Sequence, residues 1–302
     1  MRKYSKILVI IEPQQDSQLA LERACEIARY TTSTEITAFL AIYDFSYDIT
    51  SILSRNEQND MKNAIVKTNE DWLKEELPKY AHEHCHLTPK VVWQRNIAEA
   101  ILKEAENGAY DLIIKGSDTH SFLDNVLFTP LDWLLLRNAK IPVLIAKDHP
   151  WPEGGAILVA LNPDENTLEQ KLLNTSLIRT AQALALLIKG SIHLTSAVPP
   201  LVPVAVMEVP GFSTEVYSDA VLKNAKEKIL LAANKYRIPT ENCHIEEGVP
   251  DDVIPATATK LGACAVLIGN VCRKGWSAAI IGNTCEQIID DVNCDLLVLR
   301  RD

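Results

Sequence analysis

Lys6-Ile7-Leu8-Val9-Ile10-Ile11 is an almost unbroken apolar run rich in β-branched residues. Such a run fits a strand covered on both faces, as in a parallel sheet. Between Ser17 and Tyr30 the pattern changes: Leu19, Ala20, Ala24, Ile27 and Ala28 recur at helical spacing. A second strand is expected from Glu35 to Tyr43, and a long amphipathic helix from Glu57 to Leu77, stopped by Pro78. The pattern then predicts a strand at Pro89–Trp93, a helix at Ile97–Glu106 and a strand at Asp111–Lys115. A helix through Trp133 and Leu136 and a strand at Val143–Ala146 complete the half. Strands alternating with helices imply crossover connections and a parallel sheet with helices on both faces.

After Trp151-Pro152-Glu153-Gly154-Gly155, whose Pro/Gly content reads as a linker, the pattern restarts. Ile157-Leu158-Val159 repeats Ile7-Leu8-Val9 at an offset of 150. Asp111–Gly116 is answered by Cys264–Gly269 at 153, an offset shared by Ile101 with Ile254 and by Val143-Leu144-Ile145 with Leu296-Leu297-Val298. The chain therefore reads as an internal duplication. Its fold class is α/β, with domains at residues 1–150 and 151–302, each a five-stranded parallel sheet with helices on both faces.

Charge narrows the function classes. The net charge of −10 divides evenly, with 17 Lys/Arg against 22 Asp/Glu in residues 1–152 and 13 against 18 in the remainder. With no basic half or arm, neither nucleic acid nor an anionic membrane is an expected partner. The seven cysteines are odd in number and form no Cys-x-x-Cys. With no secretory signal pattern and no membrane-length apolar run, a reduced cytoplasmic protein is expected.

Ligands of open parallel sheets bind beyond the carboxyl ends of the strands. In the second half, strand four runs into Gly269-Asn270-Val271-Cys272-Arg273-Lys274-Gly275, and Gly282-Asn283-Thr284 opens the last helix. Gly269 and Gly275 permit close backbone approach and positive φ, and Arg273 and Lys274 supply positive charge. The free amides of the helix start would face the same cleft, an arrangement suited to phosphate. The alternative is that Asn283 or Thr284 only caps the helix and the two cations are solvated. Cys272, beside those cations, is either a thiol of lowered pKa or a small residue at a glycine site.

These residues carry a resemblance to the universal stress protein family, whose nucleotide-binding pattern is Gly-x-x-Gly, nine residues, then Gly-Ser or Gly-Thr, with an aspartate ending strand one. Tyr43–Tyr47, Phe128–Trp133 and Trp151–Gly155 resemble the tandem members of that family, and the likeness runs end to end. The resemblance implies adenine nucleotide alpha hydrolase-like domains that pair through their last strands, giving a monomeric intramolecular pseudo-dimer, with a homodimer as the alternative assembly. The departures from the family pattern are informative. In the second half Cys272 replaces the second glycine, and Asn162 ends strand one where aspartate is expected. Asparagine keeps hydrogen bonding to a base or a ribose hydroxyl but drops the charge. In the first half the pattern reads Gly116-Ser117-Asp118-Thr119 and then Thr129-Pro130, with Glu12 at the aspartate position. Pro130 lacks an amide donor and Asp118 and Asp124 oppose a triphosphate, so the first site is expected to be dead for ATP.

Ala197–Phe212, which includes Val198, holds a single charge in sixteen residues and four prolines. A loop this apolar covers the other domain, a second chain, or its own cleft, where it would wall in a partly apolar ligand. His82-Glu83-His84-Cys85-His86 crowds possible metal ligands together, but in an extended segment only His82, His84 and His86 share a face. Cys243-His244 is a thin candidate for a distant partner, so a solvated approach to strand three is the expectation and no metal or cofactor is assigned. Neither a Gly-x-Ser-x-Gly elbow nor a His-Glu-x-x-His motif occurs, and Asp251-Asp252 reads as a favourable helix start.

The sequence thus points to a non-enzymatic stress-response protein. Its second domain is expected to hold a small phosphate-bearing, partly apolar ligand at Asn162, Val198, Gly269, Asn270, Val271, Arg273, Gly275, Gly282, Asn283 and Thr284. The alternatives are an ATP-binding or slowly ATP-hydrolysing switch, or a ligand-free interaction scaffold.

Overall fold

A computed structural model of the chain describes residues 4–15, 17–31, 33–49, 54–117, 130–163, 167–199, 214–271 and 291–301. The chain divides into two compact units, Lys3–Asp148 and His149–Asp302.

In the first unit the elements run β1 (Lys6–Ile10), α1 (Leu19–Arg29), β2 (Thr34–Ile42), a short α2 (Ser46–Ile49), α3 (Arg55–Glu76), β3 (Cys85–Trp93), α4 (Ile97–Asn107), β4 (Leu112–Gly116), α5 (Pro130–Asn138) and β5 (Val143–Ala146). The strands are parallel in the order β3-β2-β1-β4-β5. As the apolar runs require, Ile7, Leu8 and Val9 of β1 and Leu112, Ile113 and Ile114 of β4 are buried. Asp111 fixes the start of this pairing, its Oδ2 accepting from Ser5 N at 2.9 Å and Lys6 N at 3.0 Å. The long α3 begins with a capping box, Ser54 with Glu57, which satisfies donors the first turn leaves free.

Strand β3 departs from expectation by starting at Cys85, four residues before Pro89. Within this unit β3 hydrogen-bonds only to β2, so the missing amide of Pro89, opposite Ala38, can face the unpaired side.

The second unit repeats the order: β6 (Ala156–Ala160), α6 (Leu168–Ile188), β7 (Ser191–Val198), α7 (Thr214–Tyr236), β8 (Cys243–Glu247), α8 (Pro250–Leu261), β9 (Ala263–Val271) and β10 (Asp295–Arg301). Its parallel strands lie β10-β9-β6-β7-β8. Helix α6 starts with a second capping box, Thr167 with Gln170, and packs over β6, β9 and β10. Asp251 and Asp252 stand in the first turn of α8, as expected from the helix dipole, and Gly262 (φ +55) ends that helix. The segment 151–155 is packed rather than loose: Trp151 is buried and Gly154 N donates to Ile188 O at 2.7 Å.

His193 on β7 and His244 on β8 meet through Nδ1 and Nε2 at 3.0 Å, and Ser191 Oγ reaches His193 Nε2 at 3.0 Å. His244 is therefore engaged within its own sheet. Burial, then His244, holds His193 below the ordinary imidazole range; burial, then Lys260, does the same for His244 against the opposing effect of Glu246. Both rings bind protons more weakly folded than unfolded, so their contribution to stability is complete above the unfolded pKa of about 6.5 and is lost below it. Denaturant midpoints of the second domain should fall as pH drops from about 7 to 5, and the dependence should be shallower in the His193→Gln/His244→Gln variant.

Candidate functional site

In each unit the chain leaves its first strand in one direction across the sheet and returns on the other side for the fourth. The crevice beyond the carboxyl ends of those two strands is where open α/β sheets take ligands. In the second unit these strands are β6 and β9, with Val159 opposite Leu267. Asn162 and Asn270 each lie three residues beyond that pair, at adjoining strand ends. Asn162 is exposed, and its backbone carbonyl accepts from Nδ2 of Asn174 on α6 at 2.8 Å. Asn270 is buried, although its side chain is polar. Val198 ends the neighbouring β7 with its side chain buried and its carbonyl bonded to Gly248 N at 2.9 Å, and Val271 ends β9 opposite Arg301. Arg273, Gly275, Gly282, Asn283 and Thr284, with Cys272 and the stretch 200–212, lie outside the described residues.

Gly269 serves a different purpose from the one its motif suggests. It is paired with Leu299 inside β9, and it is not among the described positive-φ residues. A Cβ added there would stand 2.6 Å from Leu173 Cδ2 and 2.9 Å from its Cγ. The absent side chain lets α6 settle on the sheet, and Leu173 covers the backbone the motif would offer to an anion. Leu173 also enters the wall of a cavity of about 1280 Å³ that runs beside α6. Among the described residues this cavity passes Thr180, Leu186 and Ile192 and reaches Leu299 and Arg300 of β10. No sequence pattern pointed to this cavity; Leu186, an apolar side chain 66% exposed on α6, shows itself only in the structure.

At the equivalent crevice of the first unit, Lys115 on β4 is fully buried. Its Nζ lies 2.9 Å from Glu12 Oε1 at the end of β1 and 3.1 Å from Oδ1 of the buried Asp132 on α5, and it donates to Gly116 O at 2.9 Å. A lysine in a strand of β-branched residues gave no sign of this role. Its neighbours in the ion pairs are 103 residues before it and 17 after it. The first crevice thus holds its own cation, which ties down the Glu12 carboxylate. At the repeat offsets the same positions in the second half are Asn162, Ile268 and Cys285, so no charge stands in any of them.

Comparison with known proteins agrees with this architecture. The model of the Universal stress protein family matches residues 3–147 and 158–300. The chain is 39% identical to Universal stress protein E of Escherichia coli K12 over 304 aligned residues, covering 100% of this chain and 96% of that one. It is 34% identical to the Universal stress protein E homolog of Haemophilus influenzae, covering 99% and 98% of the two chains. Among solved structures, a functionally unknown protein from Pseudomonas aeruginosa PAO1 superposes with a TM-score of 0.75 at 32% identity, over 99% of this chain and 93% of that one.

Breaking a buried ion pair by removing one partner costs about 3–5 kcal/mol, because the remaining charge stays uncompensated. Lys115→Met should destabilise the first domain by about that amount, and Lys115→Met/Asp132→Leu should recover most of it, since Glu12 keeps access to water. Urea unfolding of the three proteins measures both effects.

Proposed function

The chain belongs to the universal stress protein family, with two family domains in tandem, and on that premise we propose that it is a non-enzymatic, cytoplasmic stress-response protein whose second domain binds a small phosphate-bearing, partly apolar ligand. The observation that carries this reading is the contrast between the two crevices. Lys115, Glu12 and Asp132 occupy the first with a closed set of ion pairs. At the second, Asn162 and Ile268 replace Glu12 and Lys115, removing the charges and the long side chain. The cavity beside α6 reaches toward that edge at Leu173, Leu299 and Arg300, where the two leucines offer apolar surface to a greasy moiety.

The roles follow from residue chemistry. Asn162 supplies a neutral hydrogen-bonding group at the strand end, where an aspartate would favour a ribose. Arg273 and the amides of Gly282-Asn283-Thr284 are suited to a phosphate group. Val198, buried at the end of β7, lies at the start of the apolar stretch that would cover the ligand. The non-enzymatic reading rests on the residue inventory: among the described residues no nucleophile–base pair is assigned at the strand ends, and of the adjacent carboxylates, such as Glu75-Glu76, Glu246-Glu247 and Asp251-Asp252, the last pair serves a helix start. Among the described residues no helix is long and apolar enough to cross a membrane, which is compatible with the cytoplasmic placement.

Native mass spectrometry of freshly purified full-length protein should show a bound small molecule that is lost in the Arg273→Ala/Thr284→Ala variant. The apo mass alone, with no gain in melting temperature on adding phosphate-bearing amphiphiles, would sink the reading. Micromolar binding of magnesium-ATP in place of such ligands would favour the nucleotide switch.

A further inference from the structure

The histidine-rich stretch before β3 does not behave as a solvated, extended approach. Cys85 N donates to His82 O at 3.0 Å, closing a turn that exposes Glu83 and His84 and brings His82 and Cys85 to the same side. Cys85, the first residue of β3, is buried, and its Sγ lies 3.0 Å from Sγ of Cys25 on α1, which is buried as well. His82 is half-buried above them, its Nε2 2.8 Å from the Cys25 carbonyl oxygen. One ligand atom from each of Cys25, His82 and Cys85 can be chosen so that all three lie within 4.8 Å of one another.

We propose that Cys25, His82 and Cys85 form a binding site for a zinc-class divalent cation. Two sulfurs and one imidazole nitrogen are the donors that borderline-soft metals select, and no carboxylate joins the set to favour magnesium or calcium. Two thiolates and a neutral imidazole also balance the charge of a divalent ion inside a largely buried pocket. With metal–sulfur bonds of about 2.3 Å, tetrahedral geometry sets the sulfurs roughly 3.8 Å apart. Opening the present 3.0 Å contact to that value needs a change of less than about 1 Å, within the reach of side-chain rotation. Binding replaces the two thiol protons, which pass to solvent, and involves no electron transfer. Three protein donors leave the fourth position to water or to a small exogenous ligand. The site bridges α1, the turn and β3, so occupancy would fasten the edge strand to the helix.

The test uses the full-length chain, reduced and stripped with a chelator, then titrated with zinc against a chromophoric competitor and separately with cobalt. The expected result is uptake of one ion per chain, with a thiolate-to-cobalt charge-transfer band. Cys25→Ala and Cys85→Ala should each weaken zinc binding by more than about 100-fold, beyond the usual effect of an outer-shell change. His84→Ala and His86→Ala, on exposed side chains, should leave it unchanged. If the cysteine variants fail to fold, the cobalt band of the unmutated protein and its dependence on His82→Ala still decide the matter. Absence of the band, affinity insensitive to His82 and both cysteines, or a Cys25–Cys85 disulfide in protein from reducing cells would overturn the assignment.

Discussion

The pairing of the first strand with the fourth sets the layout of both domains. β1 against β4, and β6 against β9, join two apolar runs far apart in sequence, and the other three strands of each sheet are added outside that pair. Parallel neighbours cannot be joined by a tight turn, so each connection is forced over a face of the sheet as a helix or a long segment. The covering elements in turn oblige the central strands to be apolar on both sides. The same pairing creates the crevice, because the chain departs in opposite directions from the two strands.

What fills that crevice separates the two copies. In the first, an ion-paired lysine stands where a ligand would need space, and burial makes the arrangement intolerant of losing one partner. In the second, the charged residues are absent, and Leu173 of α6 covers the glycine that would otherwise expose backbone. The copies share the same strand order while presenting different chemistry at the same place. Duplication permits this division, since one domain can satisfy its carboxyl edge internally while the other keeps a cavity beside α6 lined by both apolar and polar side chains.

A second asymmetry lies away from the crevices, at the edge strands. In the first domain α1 meets the start of β3 through Cys25, Cys85 and His82. In the second, β7 and β8 meet through the His193–His244 pair. Edge strands have fewer neighbours to hold them, and each domain secures its edge with a polar side-chain contact of its own.

Hydrophobic periodicity, the repeat offsets and the glycine-bearing strand ends determined the α/β class, the duplication and the strand ends to examine. These features are local or repeat at a fixed spacing, so they survive in one dimension. The capping boxes and the acidic start of α8 are local in the same way. The tertiary structure decided which distant groups share a space. Lys115 meets Glu12 across 103 residues, Gly269 receives Leu173 from a helix 96 positions earlier, and Cys25 meets Cys85 across 60. Such meetings depend on how helices lie on the sheet and where turns close, and no spacing rule in the chain records them.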